Sequence, residues 1–205
     1  MTILRRTNGT ILAEGPGSLR ELVLAQNGAL AGADLSGCDL TGCDLTCCNL
    51  SWADLTKVNL AGATLLGCDL TGANLFGCDL TGCELASARL TGCDLTEAKL
   101  SKVDFSRANL AWCVFTGKDL RDCVLHQANL FGCDLTWAGL IGCDLTWANL
   151  SGSNLTGCDL VDCDLTGATL YGCDLTGCDL SGYTLTSVNL TGAIRDNEEA
   201  EGDEV

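Results

Sequence analysis

Residues 133–152 read CDLTW AGLIG CDLTW ANLSG when written in groups of five, with a leucine at the centre of every group. The spacing runs from Leu30 to Leu190, giving 33 consecutive groups without an inserted or deleted residue; phenylalanine replaces leucine only at Phe105 and Phe115. Apolar spacing near 3.6 indicates a helix and spacing near 2 a simple strand, so a period of five fits neither. Self-similarity at a fixed period is typical of a solenoid.

Each group repeats the same order of residue types. The residue two before the leucine is small, as in Ala33 and Cys38, and the residue just before it is mostly Asp or Asn. The two residues after it are usually Thr or Ser and then Gly, as in Thr41 and Gly42. We interpret the leucine and the small residue as inward, the Asp or Asn between them as outward, and the last two residues as a corner.

This pattern, A/C-D/N-L-T/S-G over residues 28–192, resembles the pentapeptide-repeat family. The resemblance implies an all-β fold, a right-handed quadrilateral parallel β-helix with four pentads per coil. On that expectation the repeats would form about eight coils, a rod roughly 40 Å long at ~4.8 Å per coil.

The two ends differ from the repeats. Residues 1–27 predict an N-terminal cap, because Asn8-Gly9 lies between two short apolar stretches and indicates a hairpin. Ser18 and Glu21 then form a capping-box pattern that opens a short helix, with Gly28 as its stop. The apolar side chains Leu19, Leu22 and Val23 of that helix could cover the first coil. Residues 193–205 predict a disordered tail, because six acids and no base occur from Asp196 onward.

The sixteen cysteines do not follow a metal or disulfide pattern. Fifteen occupy the small inward position, where a free thiol behaves as a small buried apolar group. Cysteines repeated along an inward column cannot gather four ligands around one ion, so we expect no metal and no cofactor. Cys47 alone is outward. It is either the reactive thiol of the chain or a tolerated surface cysteine.

The net charge of −16 is the surface property that suggests a partner. With 20 residues per coil, one face would carry a column of acids formed by Asp39, Asp79, Asp119, Asp159 and Asp179. A rod striped with carboxylates can imitate a DNA duplex toward a basic protein, and the family resemblance implies type II DNA topoisomerases as possible partners. Direct nucleic-acid binding is not expected. The alternative is that Asp and Asn serve turn hydrogen bonding and solubility.

The repeat is most disturbed between residues 99 and 126. Lys118 occupies an inward position, where it should reach the surface or pair with an acid. Val114 and Val124 replace outward Asp or Asn. This region is either a degenerate repeat or a contact site, whose candidate residues are Lys99, Lys102, Arg107, Lys118, Arg121 and His126.

No helix signal covers the last regular coil. Its larger side chains would be partly exposed and could form an end-to-end dimer, for which the family offers precedent; they are Tyr183, Leu185, Val188 and Leu190. The alternative is a monomer in which Tyr183 and Val188 close the tube themselves.

The four tryptophans lie two residues after a leucine and should therefore be outside. Trp52 and Trp112 share a face with Phe131 and Tyr171, which form either a sparse apolar stripe or scattered single aromatics. Trp137 and Trp147 should point to opposite sides.

Catalysis is not indicated by the sequence. There is one histidine, no Gly-rich phosphate loop and no concave site that would shift the pKa of paired acids. No stretch approaches the ~20 apolar residues of a membrane span, and no secretory signal is apparent, so a cytoplasmic location is expected. The sequence therefore predicts a non-enzymatic interaction scaffold. A DNA-mimicking modulator of a topoisomerase and a thiol-rich redox or metal buffer are the alternatives.

Overall fold

The structure is a computed structural model that describes residues 1–196 except 182, 184 and 186. Strand β1 (Thr2–Arg5) pairs antiparallel with strand β2 (Ile11–Gly15), and helix α1 (Leu19–Leu24) follows. The hairpin and the capping box that the sequence predicts are both present. Glu21 Oε2 accepts a hydrogen bond from the Ser18 backbone N–H at 2.7 Å, and Ser18 Oγ accepts one from the Glu21 N–H at 3.2 Å.

The cap covers one end of the solenoid. Leu4, Leu22 and Val23 are buried in the same apolar core as the repeats, and Leu19 is partly buried against it. Arg6 forms an antiparallel bridge with Ala33, which joins the hairpin to the first coil. The expected helix stop at Gly28 is wrong, because α1 ends at Leu24 and residues 25–28 form turns.

The repeats form a parallel solenoid in which each coil has 20 residues. Backbone bridges join residue i to residue i+20, from the pair Ala29 and Asn49 to the pair Asp174 and Ile194. Twenty residues are four pentads, so the predicted four-pentad coil is confirmed, while the total number of coils stays a prediction. Ala193 and Ile194 extend the bridged region two residues beyond the predicted end of the repeats. The predicted tail lies outside the described residues from position 197 onward.

One pentad shows why the residue types repeat. In residues 133–137, the Cys133 N–H closes a turn on the Leu130 carbonyl, and the Asp134 N–H donates to the preceding coil. The Leu135 and Trp137 N–H groups donate to the following coil. The remaining N–H, that of Thr136, donates to Asp134 Oδ1 at 3.0 Å. Every backbone donor is therefore satisfied, and the Asp or Asn side chain supplies the acceptor that the neighbouring coil does not.

The core is a set of stacked inward side chains. The central leucines, Phe105 and Phe115 are almost completely buried, and most of the inward cysteines and alanines beside them are as well. The core is open at the C-terminal end, where Leu180, Leu185 and Leu190 are only half-buried. The cap thus protects one end of the apolar column, whereas nothing among the described residues covers the other end to the same degree.

Candidate interaction surfaces

The 20-residue coil divides the surface into four faces, each one pentad wide. We name them by their first residues: the Asp34 face starts with residues 33–37, the Asp39 face with 38–42, the Asp44 face with 43–47, and the aromatic face with 28–32. Each continues every 20 residues. Counted over residues 28–196, the first three carry net charges of −5, −3 and −4, and the aromatic face carries zero. Charge is therefore distributed unequally around the rod.

The predicted column of acids lies on the Asp39 face, because its members are related by multiples of 20 residues. Two of its five carboxylates are already paired. Lys99 Nζ lies 2.8 Å from Asp79 Oδ2, and Arg121 Nη2 lies 2.7 Å from Asp119 Oδ2. The hydrogen bond from the Arg121 side chain lowers the pKa of Asp119 to about 2. The net field of this face is consequently weaker than the sequence column suggests.

The most acidic face is the neighbouring Asp34 face, which the sequence analysis did not single out. Lys57 is the single base within its regular pentads over residues 33–177. Among the described residues, the three ion pairs all involve acids of other faces. The signal was present in the sequence, since a count of charges at period 20 identifies it. The aspartates that precede the leucines of this face are Asp34, Asp54, Asp94, Asp134 and Asp174.

These carboxylates are held by the turns that follow them. The Thr176 N–H and hydroxyl donate to Asp174 Oδ1 at 3.0 and 2.6 Å. Hydrogen bonds from the threonine side chain and backbone lower the pKa of Asp174, and Thr96 acts likewise on Asp94. A carboxylate that accepts such bonds stays ionised at neutral pH and cannot rotate freely.

The predicted basic contact region occupies two adjacent faces in two successive coils. Four of its residues lie on the Asp39 face, and Arg107 and His126 lie on the Asp44 face. Apart from the Lys99 and Arg121 ion pairs, Arg107 Nε donates to Gln127 Oε1 at 3.0 Å, and His126 Nδ1 lies 2.6 Å from Thr146 Oγ1. Lys118 is half-buried and helps lower the pKa of Asp94, after the hydrogen bonds from Thr96. The structure brings the six residues close together, but their role as a contact site stays a prediction.

The tryptophans lie flat against glycines of the next coil. A Cβ atom added to Gly132 would meet the Trp112 ring at 2.5 Å, and corresponding contacts join Trp52 to Gly72, Trp137 to Gly157 and Trp147 to Gly167. Each tryptophan is followed by glycine 20 residues later, so the missing side chain makes room for the indole. Phe131 packs edge-on against Trp112, with ring centroids 5.2 Å apart. The aromatics are therefore outside, as expected, but positioned rather than loose.

The family model for pentapeptide repeats matches eight copies in this chain, over residues 29–62, 53–92, 68–107, 78–117, 108–146 and 143–182. The chain belongs to the pentapeptide-repeat family. Comparison of this pentapeptide-repeat sequence with curated proteins gave no match.

Solved structures of other pentapeptide-repeat proteins are similar to this chain. HetL of the cyanobacterium Nostoc sp. strain PCC 7120, involved in heterocyst differentiation regulation, is 31% identical; the alignment covers 79% of this chain and 89% of HetL, with a TM-score of 0.47. Alr5209 of Nostoc PCC 7120 is 33% identical over 44% of this chain and 73% of its own, with a TM-score of 0.41. QnrB1, a plasmid-mediated fluoroquinolone resistance protein, is 23% identical over 78% and 82% of the two chains, with a TM-score of 0.39.

The inward cysteines of this pentapeptide-repeat protein are more than substitutes for alanine. Cys113 Sγ lies 3.1 Å from the Leu90 carbonyl, 23 residues earlier, and inward cysteines on other coils repeat this contact. Ser153 Oγ donates to the Leu130 carbonyl at 2.7 Å in the same register. The thiols thus add side-chain hydrogen bonds between coils, which the sequence alone did not reveal.

All sixteen cysteines are free thiols, and Cys47 is the exposed one. Burial raises the pKa of six inward thiols to about 12; they are Cys78, Cys83, Cys93, Cys113, Cys123 and Cys133. The thiolate is the form that reacts and binds metals, so these groups are unreactive in the folded state. Within the described residues, no group of three or more His, Cys, Asp or Glu side chains could hold a metal ion. No helix of the described part of the chain could span a membrane.

The C-terminal end combines both expectations made for it. The Tyr183 hydroxyl donates to the Leu160 carbonyl, in the register that cysteines use elsewhere, so the tyrosine partly closes the tube. Leu185, Val188 and Leu190 remain half-buried beside it. Whether they form an end-to-end dimer stays a prediction.

Proposed function

We propose that this protein is a non-enzymatic scaffold that binds a protein partner through the Asp34 face. The observation that carries the proposal is the net charge of −5 on this face, arranged along one straight column of stacked pentads. A rigid surface of one charge sign attracts and orients a basic protein surface. Sixteen free thiols fit a reducing compartment such as the cytoplasm.

The negative charge of this face is not needed to form the turns. Asn149 Oδ1 accepts the Ser151 N–H at 3.1 Å and its hydroxyl at 2.7 Å, as Asp134 does with Thr136. Asparagine therefore performs the same structural task as aspartate in this register. Because either residue satisfies the backbone, five aspartates on one face exceed what the fold requires.

The equivalence of Asp and Asn supplies the experiment. One variant replaces Asp34, Asp54, Asp94, Asp134 and Asp174 with asparagine. The matched control makes the same five-charge change on the Asp39 face, at Asp39, Asp79, Asp119, Asp159 and Asp179. Both variants should keep the wild-type circular dichroism spectrum. Partners captured by the wild type and quantified by mass spectrometry should be lost with the first variant and kept with the control. Retention by both variants would contradict the proposal.

A DNA-mimicking modulator of a type II topoisomerase is the second candidate, and the regular stacking of the acids favours it. The net charge over residues 28–196 is −12. Spread over coils spaced ~4.8 Å apart, this is one net charge per ~3.4 Å, about half the density of duplex DNA, which has one per ~1.7 Å. The scaffold function is thus the better supported one. Supercoiling by DNA gyrase, titrated with the wild type and both variants, tests the second candidate; no inhibition or drug protection at large excess would exclude it.

A further inference from the structure

We propose that the aromatic face is a self-association surface on which a second copy of this chain docks antiparallel. Two copies that meet through the other three faces bring together surfaces carrying −5, −3 or −4 charges. The aromatic face holds only Asp69 and Arg89, whose side chains approach each other at 3.8 Å. It is the one face among the four on which a second copy of an acidic rod meets no net repulsion.

The face is not only uncharged but also carries most of the exposed large aromatics. Trp52, Trp112, Phe131 and Tyr171 are 69%, 60%, 40% and 55% exposed. Tryptophan and tyrosine are the residues that most often anchor protein interfaces. Their neighbours are an amide ladder, in which Asn129 Nδ2 donates to Asn109 Oδ1 at 3.1 Å and Asn149 Nδ2 donates to Asn129 Oδ1 at 3.2 Å. These paired amides lower the cost of desolvating the face.

The spacing of the aromatics selects the antiparallel arrangement. Trp52 lies three coils before Trp112, and Tyr171 lies three coils after it, which is ~14 Å in each direction. A two-fold axis across the rod at Trp112 therefore places Trp112 against its own copy and Trp52 against Tyr171 of the second copy. Phe131 then faces the small pair Thr91 and Gly92. A two-fold interface requires this kind of self-complementary pattern.

The anchors are held in place before association. Trp112 rests on Gly132 and is braced edge-on by Phe131, so little side-chain freedom is left to lose on binding. The contact strip is ~30 Å long and roughly one sheet spacing, ~10 Å, wide, or ~300 Å² per copy, which is below the ~800 Å² per partner of stable interfaces. The dimer should accordingly be weak and reversible.

Salt separates this interaction from the proposed function. Screening the net charge of −16 on each copy should strengthen the dimer, whereas it should weaken binding of a basic partner to the Asp34 face. The two proposals use different faces, so either can fail without the other.

The experiment is sedimentation equilibrium of the full chain over a range of concentrations, at about 0.05 M and about 1 M sodium chloride. The test variant is Trp112→Glu. The matched control is Trp147→Glu on the Asp44 face, because Trp147 is 62% exposed and rests on Gly167 in the same way. We expect a monomer–dimer equilibrium that tightens with salt, a dissociation constant raised roughly tenfold or more by Trp112→Glu, and no comparable change from the control. Circular dichroism of each variant establishes that it is folded.

A charge pair tests the antiparallel register. Trp52→Lys and Tyr171→Glu should each weaken the dimer, and the chain carrying both should recover it, because each lysine would face a glutamate of the second copy. A wild type that stays monomeric at the highest concentration and salt would overturn the proposal. So would a dimer that survives Trp112→Glu, as an end-to-end dimer through Tyr183 would, or a double variant no stronger than the single ones.

Discussion

Replacement of Gly132 by alanine should test the packing of tryptophan on glycine. The added Cβ would lie 2.5 Å from Trp112 Cζ3 and 2.6 Å from Cε3, so the indole has to leave its position. The backbone at Gly132 also has a φ of +66°, a left-handed conformation that costs a residue with a side chain ~1 kcal/mol. Two separate terms therefore add to the cost of one methyl group.

The contact term follows from the buried part of Trp112. The residue is 60% exposed, so about 100 Å² of a ~250 Å² side chain is covered, equivalent to at most ~2.5 kcal/mol at ~25 cal/mol per Å². Phe131 retains part of that contact when the indole shifts. We expect ~1–2 kcal/mol from displacement and ~1 kcal/mol from the backbone, a total of ~2–3 kcal/mol.

Gly92→Ala is the control, because Gly92 also has a φ of +66° and its added Cβ would meet no atom within 4 Å. It should cost only the ~1 kcal/mol backbone term. Denaturant unfolding followed by circular dichroism measures both variants, and Gly132→Ala in a Trp112→Ala background should cost no more than the control. If Gly132→Ala and Gly92→Ala destabilise the wild type equally, the packing argument is refuted.

Three further predictions concern the thiols, the acids and the turns. A thiol-reactive dye at pH 8 should label Cys47 rapidly in the folded protein and all sixteen cysteines in denaturant; rapid labelling of the buried thiols would instead support a redox buffer. The pKa of Asp94 and Asp174 is lowered in the fold and that of Asp119 falls to about 2, so their stabilising effect is present above pH ~4 and lost as pH falls toward 2. Thermal unfolding across that range should show the loss, and a transition temperature that does not fall with pH would contradict it. Asp134→Asn should leave stability at pH 7 nearly unchanged, while Asp134→Ala should cost ~1 kcal/mol because the Thr136 N–H loses its acceptor; equal costs by denaturant unfolding would contradict this.

The sequence predicted the solenoid because the leucine spacing is unbroken and no other regular element has a period of five. It also predicted the hairpin and the capping box, since both depend on residues close in the chain. The end of α1 was missed because Leu24 closes the helix through turns, without a glycine at that point. The Asp34 face was missed because stacking alone decides which acids share a face and which are neutralised by a base.

The sequence by itself determined the repeat, the inward leucines and the outward acids, because each depends on position within a single pentad. Only the tertiary structure decided the relations between coils: the pairing of Lys99 with Asp79, the thiol contacts from Cys113 to Leu90, and the tryptophans resting on glycines. The physical reason is that these contacts join residues about 20 positions apart, which approach each other only when the chain completes a turn of the solenoid.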